Sequence, residues 1–275
     1  MWGIIPAAGR GSRIQPLAFS KELLPVGSRK EHTADGVVEK PIAVSEHLVE
    51  RMLDAGVDKL CFVIAPGKSD IFEYYGGRAS AAQARNAAIC YAVQEEPRGL
   101  CDALFRALPF MAEGELACVG LPDTIWFPRD GFTALDAAGL CFLLFPVREP
   151  QRFDAVQLDE AGAVLHIDVK SSAPRSQWIW GAFKVTRKVL AELEALWLER
   201  DRRDEYLGTL VNAYLARGGA ATGVLAGTTY VDVGTLSGYR EAVQLLDSGA
   251  GPAAPASGDG ARLASYAGLA AGSAR

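Results

Sequence analysis

Short apolar segments alternate with helical segments along the first 150 residues. Residues 59–65 and 140–147 are nearly continuous apolar runs, a pattern typical of parallel strands that are covered on both faces. Between such runs, residues 44–53 carry apolar side chains at helical spacing, and Gly56 follows as a helix-ending residue. The alternation predicts an α/β fold with an open, doubly wound, mostly parallel sheet.

The individual segments can be assigned along the chain. In the first part, the expected strands are residues 2–6, 59–65, 88–94, 116–121 and 140–147, with helices beginning at Pro41 and covering residues 100–108 and 132–138. Residues 28–40 are expected to form an exposed loop or hairpin. Beyond Pro150, the expected elements are antiparallel strands at 153–158, 163–169 and 178–186, helices at 188–200 and 205–216, a strand at 229–233 and a helix through 246.

The composition divides the chain into one domain and a tail. Residues 1–247 are expected to form a single domain. Residues 248–275 are mostly Gly, Ala, Ser and Pro with a few charges, so we expect a flexible, low-complexity tail.

Several classes of protein are disfavoured by charge and hydropathy. A net charge of -5 gives no basic field for a nucleic-acid partner. The longest apolar run, residues 140–147, is far shorter than the roughly 20 residues that span a bilayer. The five scattered cysteines are expected to be buried free thiols, which suits a cytoplasmic protein without disulfides.

The loop after the first strand is the first candidate for chemistry. Gly9, Gly11 and Ser12 follow residues 2–6 directly, and Arg13 and Lys21 add positive charge. Glycines allow backbone amides to approach phosphate oxygens, although a simple glycine-rich turn with surface cations fits the two glycines equally well. A dinucleotide fold requires a third glycine where Ile14 stands, and no Gly-Lys-Ser/Thr of a P-loop follows.

The longer pattern is much more specific. G-R-G-S-R-I-Q-P-L at residues 9–17 and S-K-E-L-L-P-V-G at residues 20–27 closely resemble the signature loop of the sugar-1-phosphate nucleotidyltransferases. Within that family the resemblance is to the glucose-1-phosphate thymidylyltransferases and uridylyltransferases. It implies that Ala8, Gly9, Gly11, Ser12 and Arg13 surround the nucleoside triphosphate. It also implies that Arg13 and Lys21 act as catalytic cations on the phosphates.

Two further segments resemble the family in the family's order. Residues 93–100 contain Gln94 and Gly99, which by resemblance contact the edge of the nucleotide base. Residues 119–124 end in Asp123-Thr124, and residues 229–235 contain Asp232. By resemblance, these two aspartates bind Mg²⁺, the implied cofactor.

The sugar side matches less closely. The resemblance places Gly181, Lys170 and Arg203 at the sugar phosphate. The acidic residue that usually precedes the lysine is Val169 here, and Asp154 stands where the family has a glycine. We hypothesise that Asp154 supplies the missing carboxylate to the sugar from a different strand. The alternative is that Asp154 points to solvent.

Together these resemblances imply an enzyme that joins dTTP or UTP to a hexose 1-phosphate and releases pyrophosphate. A noncatalytic relative that binds sugar nucleotides is the main alternative, favoured by Val169 and Asp154. An oxidoreductase on a dinucleotide fold is disfavoured by the missing third glycine. The expected partners are the two substrates, without nucleic acid or membrane, and the resemblance suggests a homo-oligomer.

Overall fold

The computed structural model describes residues 1–34, 36–76, 85–96 and 98–247. Its strands are β1 Trp2–Pro6, β2 Pro25–Thr33, β3 Gly36–Ala43, β4 Lys59–Ile64, β5 Ala88–Val93, β6 Leu116–Gly120, β7 Thr124–Phe127, β8 Leu140–Pro146, β9 Asp154–Leu158, β10 Val164–Val169, β11 Trp178–Thr186, β12 Thr222–Val224 and β13 Thr229–Asp232. Its α-helices are α1 Val44–Asp54, α2 Ser69–Gly76, α3 Gly99–Phe105, α4 Arg187–Glu199, α5 Leu207–Ala216 and α6 Leu236–Asp247.

Nine strands of the described residues form one mixed sheet. Its centre is parallel, with β6, β1, β4 and β5 side by side. The long strand β11 then runs antiparallel to β6, and β8, β9 and β10 extend the sheet from it. The expected fold, a largely parallel α/β sheet with an antiparallel extension, is confirmed.

Apolar side chains cover both faces of this sheet. Ile4 and Val63 belong to a cluster on one face, and Ile5 and Phe62 belong to a cluster on the other. Because neighbours along a strand point to opposite faces, the apolar runs in β1 and β4 fill both clusters at once. All five cysteines are free thiols, as expected, and four of them are buried.

Two short antiparallel pairs lie outside the main sheet. β2 and β3 form the hairpin that was one of the two expectations for the charged segment. β7 pairs with β13, and Asp232 lies opposite Thr124 in that pair. This second pair joins parts of the chain that are more than 100 residues apart, and it carries both candidate metal ligands at its end.

Three local expectations need correction. Residues 132–138 do not form an α-helix; Gly131–Ala134 is a short 3-10 helix, and the buried Phe132 fills the core there. Pro41 belongs to strand β3, and the helix begins at Val44. Strands β7 and β12 and helix α2 match no expected element, because segments of four, three and eight residues are too short to show a clear period.

The expected tail, residues 248–275, lies outside the described residues. Within the part that the structure describes, no helix has the length and apolar character needed to cross a membrane.

Candidate active site

The carboxyl ends of the parallel strands bring the predicted nucleotide residues to one edge of the sheet. The Ala7 amide donates to the Val63 carbonyl oxygen at 2.7 Å, which fixes the chain as it leaves β1. The Gln94 amide donates to the Ile64 carbonyl oxygen at 2.9 Å in the same way. Ligands bind α/β sheets at this edge, so the edge is the natural place for a substrate.

The glycine loop lies directly against Lys21. Gly11 has a φ of +64°, which favours glycine, and a Cβ atom there would lie 2.9 Å from Cδ of Lys21. A Cβ on Gly9 would lie 3.8 Å from the Lys21 Nζ atom. Ser12 and Arg13 are exposed in the same loop, while Ala8 is buried. The loop is therefore packed onto the lysine and leaves its polar side open.

The two candidate metal ligands lie beside each other. Asp123 follows β6, and Asp232 ends β13. A Cβ atom built on Gly234 would lie 2.8 Å from Oδ1 of Asp232 and 3.0 Å from Oδ2 of Asp123. The backbone amide of Gly234 also donates to Oδ1 of Asp232 at 2.8 Å. The two carboxylates therefore lie on either side of Gly234, and a side chain at residue 234 would collide with both of them.

Each carboxylate is paired with one cation. The Lys21 Nζ atom donates to Oδ2 of Asp123 at 2.5 Å, and Nη1 of Arg13 donates to Oδ2 of Asp232 at 2.9 Å. Burial alone would raise the pKa of Asp123, but the Lys21 ammonium holds that pKa below its usual value. Burial alone would lower the pKa of Lys21, but Asp123 and Glu22 hold it above its usual value. The four groups predicted for metal and phosphate chemistry therefore lie together as two ion pairs.

A buried ion pair behind the loop was not found from the sequence. The Lys68 Nζ atom donates to both carboxylate oxygens of Glu22 at 2.8 Å and to the Ala7 carbonyl oxygen at 2.6 Å. Glu22 is 1% exposed. Since Ala7 and Glu22 lie at opposite ends of the glycine loop, Lys68 ties the two ends together. No sequence signal marks Lys68, which stands in an ordinary polar turn.

Asp70 adds a second tie to the same segment. Its carboxylate accepts from the Ser20 amide at 2.5 Å and from the Ser20 hydroxyl at 2.7 Å. Ser20 directly precedes Lys21. The backbone that carries Lys21 is thus held on both sides by side chains from the β4–α2 connection and from α2.

The two predicted base-contacting residues are in direct contact. The side-chain nitrogen of Gln94 donates to the Gly99 carbonyl oxygen at 3.1 Å and to Oδ2 of Asp102 at 2.7 Å. Gly99 has a φ of +86°, and a Cβ there would lie 2.6 Å from the Glu205 carbonyl oxygen. Gln94 is 4% exposed, and its amide nitrogen is used in these two internal hydrogen bonds.

Two adjoining cavities extend from the carboxylate pair. The one that we call the phosphate-side cavity has a volume of about 460 Å³. The inner cavity has a volume of about 150 Å³. The residues shared by both linings are Leu121, Phe153, Lys170, Tyr206 and Tyr230; Arg13, Asp123, Thr124, Arg152 and Asp232 line only the phosphate-side cavity, and Leu100, Asp154, Trp180 and Leu207 line only the inner one.

The predicted sugar-side residues differ in their position relative to the two cavities. Lys170 lines both cavities, and its Nζ atom donates to the Arg152 carbonyl oxygen at 2.8 Å. Asp154 is 7% exposed and lines the inner cavity, so it does not point to solvent. A Cβ on Gly181 would lie 2.4 Å from Cε2 of Tyr230, so this glycine makes room for a cavity-lining ring. Arg203 is exposed, bonds the Arg200 carbonyl oxygen and lines neither cavity.

A larger cavity, of about 910 Å³, lies at the opposite end of the sheet. It is bordered by residues 113–115, where β6 begins, and by Thr186, where the antiparallel β11 ends. None of the predicted site residues lines it. We therefore place the candidate active site at the smaller cavities.

Comparison with known proteins identifies the family of this chain. The sequence profile described as "Nucleotidyl transferase" matches residues 2–249. The chain is 27% identical to a glucose-1-phosphate thymidylyltransferase of Neisseria gonorrhoeae over 90% of this chain and 83% of that protein. It is 29% identical to a glucose-1-phosphate thymidylyltransferase of Actinoplanes sp. over 91% of this chain and 80% of that protein.

Solved structures show the same fold. A Bacillus anthracis protein assigned as a glucose-1-phosphate thymidylyltransferase, in complex with sucrose, superposes with a TM-score of 0.73 at 24% identity. The superposition covers 90% of this chain and 95% of that one. A UDP-glucose pyrophosphorylase complexed with UDP-glucose superposes with a TM-score of 0.70 at 18% identity, covering 90% of this chain and 99% of that one. With its profile match along nearly the whole described chain, this protein belongs to the nucleotidyl transferase family of enzymes.

Proposed function

We propose that this enzyme transfers a nucleotidyl group from dTTP or UTP to a hexose 1-phosphate and releases pyrophosphate. The observation that carries this proposal is the convergence of Lys21, Arg13 and the Asp123–Asp232 pair beside two adjoining cavities. A phosphate oxygen of the sugar phosphate attacks the α-phosphorus, a new P–O bond forms, and the bond to pyrophosphate breaks. The attacking phosphate is already an anion, so no general base is needed.

Mg²⁺ fits the carboxylate pair. Among the described residues, no group of three or more His, Cys, Asp or Glu side chains forms a self-sufficient metal site. Mg²⁺ is commonly held by one or two carboxylates together with substrate phosphates, and Asp123 and Asp232 supply that number. When bound, the ion would neutralise phosphate charge and orient the reacting oxygen atoms.

The chain's own cations act on the phosphates. Lys21 donates a hydrogen bond to Asp123, and Arg13 donates one to Asp232. Both cations are therefore already next to the proposed metal site, where negative charge develops on the phosphates during transfer. Preorganised donors of this kind commonly lower a barrier by about 3–4 kcal/mol each. Lys170 lies on the boundary between the two cavities and would hold the sugar phosphate in position.

The choice of base is supported by Gln94. Its amide nitrogen is bonded to Gly99 and Asp102, which leaves its oxygen as an acceptor. Thymine and uracil carry an imide N–H that can donate to such an oxygen, whereas adenine and cytosine present an acceptor nitrogen at the corresponding place. This pattern supports dTTP or UTP over ATP or CTP.

A pyrophosphate-release assay tests the proposal. The purified protein is incubated with Mg²⁺, one nucleoside triphosphate (dTTP, UTP, ATP or CTP) and each member of a panel of hexose 1-phosphates. We expect release with dTTP or UTP and at least one sugar, and none when EDTA replaces Mg²⁺. Sugar-nucleotide binding without release under any combination would instead support the noncatalytic alternative, which the substitutions at Val169 and Asp154 favour.

A further inference from the structure

Two buried polar groups in the inner cavity have no hydrogen-bond partner. They are Oδ1 of Asp154 and Nε1 of Trp180, two of the four such side-chain atoms among the described residues. Each of the two residues is 7% exposed. An unpaired buried polar group costs about 1–3 kcal/mol, and more when it is charged. A pair of such groups in one cavity therefore indicates a partner that binds there.

The two groups face the same side of the sheet. Asp154 and Val156 point to one face of β9 because they are two residues apart. Val156 and Trp180 belong to the same core cluster. β9 and β11 pair through Ala155 and Ile179, so Asp154 and Trp180 are on adjacent strands close to that contact.

Helix α5 closes the cavity over Asp154. A Cβ built on Gly208, in the first turn of α5, would lie 3.4 Å from Oδ2 of Asp154 and 2.6 Å from a methyl carbon of Val169. Any larger residue there would push into the sheet. The carboxylate is therefore enclosed by the sheet and by the helix, at the border of the inner cavity.

The remaining walls suit a sugar ring. Leu100, Leu121 and Leu207 are apolar, and Phe153, Tyr206 and Tyr230 are aromatic. Small-molecule sites commonly combine such walls with a few polar groups that fix orientation. A carboxylate only accepts and an indole N–H only donates, whereas a hydroxyl does both. Burial raises the pKa of Asp154, and the nearby Lys170 and Trp180 side chains partly offset that rise, so the indole lies close to the carboxylate. Neither Oδ1 of Asp154 nor Nε1 of Trp180, however, has a partner at hydrogen-bond geometry. One sugar hydroxyl placed against both, or two neighbouring ones, can satisfy the two groups.

We infer that Asp154 and Trp180 determine sugar specificity by holding ring hydroxyls of the hexose 1-phosphate in the inner cavity. This inference rests on the proposed function and adds which side chains read the sugar. The ring would occupy the inner cavity while its phosphate remains near Lys170, which borders both cavities. The substrate class is a hexose with a free hydroxyl at the position facing Asp154, and a sugar that lacks it binds poorly.

Binding measurements that do not require turnover test the inference. Calorimetry would measure the affinity for hexose 1-phosphates and for their monodeoxy analogues. Mg²⁺ and the α,β-methylene analogues of dTTP and UTP, which cannot transfer, would be present. Asp154→Ala should weaken the preferred sugar phosphate about 10- to 100-fold. The affinity of Asp154→Asn for the sugar phosphate should lie between those of the wild type and Asp154→Ala. Trp180→Phe should also weaken sugar binding.

One deoxy analogue should identify the hydroxyl. It should bind the wild type about 10- to 100-fold more weakly than the parent sugar, and Asp154→Ala should not weaken it further. Asp168→Asn is the matched control. This carboxylate lies on the neighbouring strand β10, pairs with Arg175 and lines neither cavity, so sugar affinity should not change.

Stability separates recognition from a structural role. Because the Asp154 carboxylate has an unpaired buried oxygen, Asp154→Ala should keep or raise the melting temperature while it weakens sugar binding. A lower melting temperature with unchanged sugar affinity would assign Asp154 to the fold and overturn the inference. Unchanged affinity for every deoxy analogue in the wild type would also overturn it. If the wild type releases pyrophosphate in those cases, the proposed function still stands; if it neither binds nor turns over any hexose 1-phosphate, both fail.

Discussion

The Lys21 ammonium lies 2.5 Å from a carboxylate oxygen of Asp123, the residue that we propose as a metal ligand. Both side chains are nearly buried, with exposed fractions of 13% and 12%. The cation that is proposed to act on phosphate therefore occupies, before substrate binds, the carboxylate that is proposed to bind metal.

This pairing predicts competition between Lys21 and a metal ion. Lys21→Met should bind Mn²⁺ alone more tightly than the wild type, because the carboxylate no longer has an internal cation. The same variant should lose turnover by about 100-fold or more, since a preorganised phosphate donor is missing. Titration by electron paramagnetic resonance measures the first effect. Lys188→Met, at a lysine whose side chain is 85% exposed, is the control; weaker Mn²⁺ binding by Lys21→Met would contradict the competition.

The carboxylate pair should be essential for turnover. Asp123→Asn and Asp232→Asn should each lower kcat by orders of magnitude, because each replaces an anionic metal ligand with a neutral amide. Circular dichroism should show an unchanged fold. Asp58→Asn, at an exposed aspartate paired with the amino terminus, should keep wild-type kcat. Near-normal turnover in either of the first two variants at saturating Mg²⁺ would refute that ligand.

Lys170 should affect substrate capture more than chemistry. It borders both cavities but makes no contact with Asp123 or Asp232 among its described bonds. Lys170→Met should chiefly raise KM for the sugar phosphate, with a smaller change in kcat. Steady-state kinetics at saturating nucleotide would measure the two constants. A large fall in kcat with normal KM would instead assign Lys170 to the transition state.

The Lys68–Glu22 pair should be important for stability. Lys68→Met should lower the free energy of unfolding by about 3–5 kcal/mol, because it leaves the Glu22 carboxylate buried without its cation. Burial already raises the pKa of Glu22. The variant's deficit should therefore shrink as the pH falls and Glu22 takes up a proton. Urea denaturation at several pH values measures this, and Lys188→Met should change stability by less than about 0.5 kcal/mol at each of them.

His47 should make stability fall in mildly acidic solution. Burial lowers the pKa of His47 to about 4, and its Nε2 atom lies 2.8 Å from the Val26 carbonyl oxygen. The unfolded chain protonates near an ordinary pKa of about 6.5. The contribution of neutral His47 to the free energy of unfolding is therefore complete above about pH 6.5 and is lost progressively as the pH falls to about 4.

The matched variants for this effect are His47→Gln and His32→Gln. Between pH 7 and pH 4.5, His47→Gln should lose less stability than the wild type, by on the order of 2 kcal/mol. His32 is exposed in the β2–β3 hairpin, so its variant should follow the wild-type pH profile. Parallel profiles for all three proteins would show that His47 does not titrate in this way.

Regular patterns in the sequence predicted most of the sheet. Runs of apolar residues gave the buried strands β4 and β8 within two residues of their bounds. The 3-10 helix at Gly131–Ala134 was expected to be longer, because its apolar residues fit a helical period that the chain does not continue. Strand β7 has four residues, and its partner β13 is distant in sequence, so only the folded chain reveals the pairing.

The sequence indicates the glycine loop of the candidate site because its requirements are local. Gly11 must be glycine because of its φ of +64°, and the spacing to Lys21 follows from the same loop. The Lys68–Glu22 tie was not predictable, since Lys68 stands in an ordinary polar turn 46 residues beyond Glu22 in the signature loop. The burial of Asp154 could not be predicted from the sequence either, because it depends on helix α5 packing over β9 at Gly208.

The β7–β13 pair also has a consequence for how the enzyme is made. Asp232 lies opposite Thr124, beside Asp123, on the last strand of the described chain. During synthesis, the glycine loop, Lys21 and Asp123 all leave the ribosome before β13 does. A nascent chain therefore contains the glycine loop and the first candidate carboxylate about 100 residues before the second one, and the complete candidate site can form only after β13 has been synthesised.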